Sequence, residues 1–133
     1  MGAIEDRMKD LGYALPAEAA PLANYVPAVY VESEGLVYTS GHVPRNPDGG
    51  FIAGKLGDDT SVEDGYAAAR STALGLLGSL KAITGDLDRV TGVVKLLCMV
   101  NCTPDFAEHP AVGVAGLPAN VCVEIEMIVE VSA

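Results

Sequence analysis

The spacing of apolar positions changes along the chain, and each change marks an element. Ile4, Met8 and Leu11 recur at helical spacing ahead of Gly12, which predicts a short amphipathic helix over residues 3–12. Pro16, Pro21 and Pro27 then interrupt regular structure and predict an extended connector. AVYV and LVYT, separated by the polar ESEG, predict an antiparallel hairpin over 28–40. The following PRNPDGGFIAGKLGDD is dense in Gly, Pro, Asn and Asp and reads as a loop with room for one short strand.

From Val62 the period becomes helical. Val62, Tyr66, Ala69, Ala73, Leu76, Leu77, Leu80 and Ile83 follow at three or four, Thr60 and Glu63 have the T-x-x-E spacing of a capping box, and Gly85 supplies a stop. One long helix over 61–83 is expected. Its small residues, Ala67 to Ala69, Gly75 and Gly78, suit close approach of a sheet. VVKLLCMVN is almost continuously apolar, the pattern of a central strand covered on both faces. VCVEIEMIVEV alternates: Val121, Val123, Ile125, Met127, Val129 and Val131 face one way, and Cys122, Glu124, Glu126, Ile128 and Glu130 the other. This order implies an α+β fold, with a mixed or antiparallel sheet and helix on one face. At 133 residues the expectation is a single domain, 1–133.

Composition narrows the function classes. Half of the residues are hydrophobic, yet no run approaches the roughly 20 apolar residues of a membrane span. The first charges are acidic and the order of a secretory signal is missing, so a cytoplasmic protein is expected. Cys98, Cys102 and Cys122 form no C-x-x-C pair and read as reduced, mostly buried thiols. Eighteen acids against eight bases give a net charge of −10, a field that repels nucleic acid and anionic lipid. A single arginine or helix N-terminus can still reverse it locally.

Candidate chemistry centres on VYTSGHVP. Ser40 and His42 would share a strand face about 7 Å apart, too far for a direct hydrogen bond. The surrounding residues do not form G-x-S-x-G, and no third residue orients the imidazole, so a turn or a pocket wall fits better than a hydrolase nucleophile. His42 and His109 stand 67 positions apart without a ligand cluster, and no metal site is expected. Glu124 and Glu126 share a sheet face that is either solvated or lines a subunit interface.

Taken in order, Asn24-Tyr25-Val26, VYTSGHVP, the helix GYAAARSTALGLLGSLKAITGDLDRV, VVKLLCMVNCTPDF and AVGVAGLPANVCVEIEMI resemble the YjgF-type family, also called the Rid family of reactive-intermediate deaminases. The resemblance spans nearly the whole chain and is most specific at SG-x-x-P, at D-F after the central strand, and at V-G-V-x-x-LP followed by VEIE. It implies a chorismate-mutase-like subunit, with helices on one face of a mixed sheet. Three such sheets would close a barrel-centred homotrimer with clefts between neighbours. It also implies hydrolysis of 2-imino acids or enamines to 2-oxo acids and ammonia without a cofactor; a non-catalytic trimer binding small carboxylates is the alternative. By position, Glu124 matches the family's water-positioning carboxylate, and Tyr25, Ser40 and Gly41 match its substrate-binding wall. His42 stands where glutamine is common.

The chain departs from the family in one place. A helix, a strand and a carboxylate-binding arginine are expected between Asp105-Phe106 and the V-G-V run, on the order of 20 residues. Here AEHP leads directly to AVGV, so a segment is missing around 107–111. Either the loss is real and His109 stands in the arginine's place, or residues are omitted at Pro110-Ala111 and His109 is a loop residue.

Overall fold

A computed structural model describes residues 2–17 and 23–133, so part of the proline connector lies outside the described residues. Among the described residues are two α-helices and five strands: α1 (Ala3–Asp10), β1 (Ala28–Val31), β2 (Leu36–Thr39), α2 (Val62–Thr84), β3 (Val90–Asn101), β4 (Val112–Val114) and β5 (Val123–Val131). The strands form one mixed sheet in the order β1-β2-β5-β3-β4. The β1–β2 and β2–β5 pairs are antiparallel, and β3–β4 is parallel. The α+β reading stands.

The local signals hold where local chemistry decides them. Gly12 and Gly85 follow their helices with φ of 81° and 77°, and Gly35 closes the hairpin turn at φ 65°. The α2 cap is shifted by one residue from the expected Thr60. Ser61 Oγ accepts from the Asp64 amide at 3.1 Å, while the Thr60 hydroxyl is drawn into the preceding loop, where it donates to Asp59 at 3.1 Å. Gly78 serves a different purpose from the close sheet packing expected of it, and Gly65 acts similarly. A Cβ on Gly78 would meet the Pro16 carbonyl at 3.1 Å and one on Gly65 the Leu56 methyl at 2.9 Å, so they admit connector and loop, not sheet.

Contacts divide the chain into two compact units, one comprising Met1–Ser40, Leu74–Leu96 and Glu126–Ala133, the other Gly41–Ala73 and Leu97–Ile125. The first is organised around Met8, Val37, Leu80, Leu87, Val129 and Val131. The second is organised around Leu56, Ala68, Val100, Cys102, Cys122 and Val123. In the first unit Asp88 accepts from the Ala3 and Ile4 amides at 2.6 and 2.9 Å, satisfying donors that the first turn of α1 leaves open. The hydrogen bonds from Ile4 and then Ala3 hold the Asp88 pKa below its ordinary value. This contribution to stability is complete above the ordinary carboxylate range and disappears as pH falls through the lowered folded-state pKa. Thermal melts of Asp88→Asn should therefore differ from the parent most at neutral pH and converge in strong acid. A gap that stayed constant with pH would contradict the linkage.

The central position expected of this strand stands, but the expected cover on both of its faces needs correction. β3 is interior in strand order, yet Val93, Val94 and Leu96 are 60, 60 and 54% exposed. An apolar run shows that a strand can be covered on both faces; it does not say that its own chain supplies the cover. Val90, Cys98 and Val100 belong to the cores, and by strand alternation Val94 and Leu96 share their face. Val93 is on the other face, with Thr91, whose hydroxyl donates to Glu130 Oε2 at 3.1 Å. Register puts Val29, Tyr38 and Ile128 on that face too, the first two 50 and 40% exposed. Both faces thus carry bare apolar side chains.

Parallel neighbours normally need a crossover of about a dozen residues or more, usually a helix. Here β3 ends at Asn101 and β4 begins at Val112, and the intervening segment contains no helix. The direct link coincides with the segment missing by resemblance.

Candidate functional site

The SGH stretch leaves β2 and runs into an isolated bridge. His42 donates its amide to the Ile125 carbonyl at 2.8 Å and accepts from the Ile125 amide at 2.9 Å. Glu124, the residue before Ile125, reaches Gly41 through its side chain, diagonally across this bridge. A Cβ on Gly41 would lie 3.0 Å from both Cδ and Oε1 of Glu124, so the half-buried carboxylate rests on the backbone where any side chain would crowd it. Gly41 is therefore a glycine because Glu124 is seated there.

Downstream, Pro44 is buried, and the Ser71 hydroxyl of α2 accepts from the Arg45 amide at 3.1 Å and donates to its carbonyl at 2.8 Å. The loop that follows the site is thereby held to a helix, which keeps the exit path from Gly41 fixed. Arg45 itself lies over the Phe51 ring, 4.6 Å from its centroid.

The other predicted wall residues lie in the first unit. Ser40 donates both its amide and its hydroxyl to the Pro27 carbonyl, at 2.9 and 3.1 Å, which fixes the hydroxyl as a turn brace. Tyr25 is 41% exposed in the segment leading to β1. The structure brings Gly41, His42 and Glu124 together in the second unit. Among the described residues no group of three or more His, Cys, Asp or Glu could hold a metal ion.

His109 is oriented by its own loop. Its Nδ1 lies 3.1 Å from the Ala111 carbonyl, its Nε2 3.8 Å from Cys102 Sγ, and its ring stacks on Phe106 with centroids 5.5 Å apart. One polar cluster was not anticipated from sequence. Lys55 Nζ donates to Asn101 Oδ1 at 2.6 Å and to the Ala115 carbonyl at 2.8 Å, while the fully buried Asn101 amide donates to Gly54, Asn120 and Val121. A lysine within a loop composition carries no sequence signal for such a role. Cys98 and Cys122 have thiol pKa values pushed up by burial and stay protonated at neutral pH. No helix among the described residues is long and apolar enough to cross a membrane.

The five-stranded mixed sheet with its two helices is consistent with a chorismate-mutase-like α+β subunit. The sequence matches the family model described as "YjgF/chorismate mutase-like, putative endoribonuclease" over residues 5–127, and the chain belongs to that family. Protein TCP17 of Trypanosoma cruzi is 38% identical over 155 aligned positions that take in 98% of this chain and 96% of the relative. Those positions outnumber the 133 residues here by 22, so the relative carries at least that many residues without a counterpart in this chain. Among solved structures, Atu1372 of Agrobacterium tumefaciens, described as of unknown function, is 33% identical with a TM-score of 0.85, covering 97% of this chain and 92% of its own. TdcF of E. coli with bound serine is 25% identical with a TM-score of 0.60, covering 90% and 97%.

Proposed function

We propose that the chain hydrolyses small 2-imino acids, or their enamine tautomers, to 2-oxo acids and ammonia, in clefts between the subunits of a homotrimer. The observation that carries this reading is the seating of the Glu124 carboxylate on Gly41, at the position the family uses to hold water. An imine carbon is already electrophilic. What it needs is an oriented water and a base to accept a proton as the carbon–oxygen bond forms. Glu124 accepts that proton and passes it to the imine nitrogen, giving a neutral carbinolamine; the carboxylate then takes the hydroxyl proton and delivers it to nitrogen as the carbon–nitrogen bond breaks, releasing ammonia and the 2-oxo acid. No metal or organic cofactor takes part. TdcF, which binds serine, supports a small amino-acid-like ligand. Gly41 and His42 would line the same wall.

The sheet face carrying Val29, Tyr38 and Val93 supports self-association, since a second and third copy would cover it. The endoribonuclease description finds no support in a net charge of −10, which opposes RNA binding.

One observation favours the non-catalytic reading, a trimer that binds small carboxylates without turnover. The segment bearing the family's arginine is missing, and His109 does not replace it, because its two ring nitrogens face Ala111 and Cys102. The two readings separate in one experiment, in which 2-iminopropanoate is generated in situ and its decay followed with and without the protein. Faster decay with protein is expected. Equal decay, together with saturable binding of a 2-oxo acid, would replace the enzyme with the binding protein.

A further inference from the structure

The short β3–β4 link builds a cleft of about 270 Å³ entirely within the second unit, lined by Cys102, Thr103, Phe106, His109, Val114 and Ala115 among others. Its chemistry can be read from hydrogen bonds. A carbonyl only accepts, so the 3.1 Å contact with Ala111 places the proton of neutral His109 on Nδ1. Nε2 is then the acceptor facing Cys102 Sγ at 3.8 Å. A nucleophile, its base and the group that orients the base are in sequence, the arrangement that activates a thiol. Gly113 protects the pair: a Cβ there would lie 3.0 Å from Sγ and 3.1 Å from Nε2.

Two further features of the cleft define its ligand. The Thr103 hydroxyl oxygen is buried without a hydrogen-bond partner, a cost that an acceptor on a bound molecule would remove. No lysine or arginine is among the lining residues, so the cleft offers no charge to hold a carboxylate. We propose that Cys102 and His109 form a thiol–imidazole pair that covalently captures small uncharged α,β-unsaturated carbonyl compounds, with the carbonyl oxygen accepting from Thr103. His109 Nε2 takes the thiol proton, and sulfur bonds to the β-carbon. The alkene π electrons move to the α-carbon, which recovers the proton from Nε2. The product is a thioether, and no oxidant or leaving group is involved.

Acrylamide is a suitable probe, with thioether formation at each cysteine measured by peptide mass spectrometry over time. Cys102 should react about tenfold or more faster than Cys98 and Cys122 at neutral pH. His109→Gln should slow Cys102 by about tenfold without altering Cys98. Thr103→Val should slow acrylamide but not methyl methanethiosulfonate, which has no carbonyl to bind. Circular dichroism of both variants checks their folding. Equal rates at the three cysteines, or a Cys102 rate indifferent to His109→Gln in a folded protein, would overturn the proposal. If only the Thr103→Val prediction failed, the assignment of the carbonyl class would fall.

Discussion

Replacing Glu124 with glutamine is expected to lower protein-dependent hydrolysis of 2-iminopropanoate by about 100-fold or more, the scale of losing a positioned general base. Glutamine keeps the size of the side chain and its seat against Gly41, so folding and assembly should be unchanged. It cannot accept the proton of the attacking water. Because imines also hydrolyse in free solution, the measurement is the rate above the protein-free background. The loss should appear in kcat with little change in KM, since the carboxylate acts on water, not on the substrate carboxylate. If the variant, with native circular dichroism and native mass, retained parental activity, Glu124 would not be the base.

The second large effect concerns assembly. Val93→Glu should convert the proposed trimer to monomer at micromolar concentration, as read by light scattering. Val93 is 60% exposed in the single chain, so a glutamate there is solvated and harmless to the monomer's fold. In a trimer the same position is buried three times over, and each unpaired carboxylate costs several kcal/mol. A factor of ten in the association constant corresponds to about 1.4 kcal/mol, which makes the shift large. Hydrolysis should fall with assembly if the clefts lie between subunits. A parent protein that is already monomeric would remove the intersubunit site, and an unchanged trimer in Val93→Glu would place the interface elsewhere.

What the sequence revealed and what it concealed divide along a physical line. The period of Val62 through Ile83, the alternation of β5 and the glycines at 12, 35 and 85 act within a few residues, so each could be read directly. Ser61 and Thr60 are adjacent and chemically alike, and the choice between them depends on the loop that claims Thr60. The contact of the Glu124 side chain with Gly41 depends on which strand lies beside the SGH turn, and resemblance points to both residues without showing that one packs on the other. The Cys102–His109 contact was hidden for the opposite reason. A cysteine ending an apolar run and a histidine in a polar loop each look ordinary, and only the path into β4 turns them toward each other. Exposure of β3 was equally hidden, since an apolar sequence states a need for cover without naming its source.

Val94 and Leu96 carry a consequence beyond architecture. On the core-bearing side of the sheet, they form an uncovered strip on a chain whose acids outnumber its bases by ten. Association beyond the proposed trimer is opposed by repulsion between like-charged assemblies, a force that salt screens and that fades near the isoelectric point of about 4.4. The acidity that opposes RNA binding also provides colloidal protection for a sheet left partly bare.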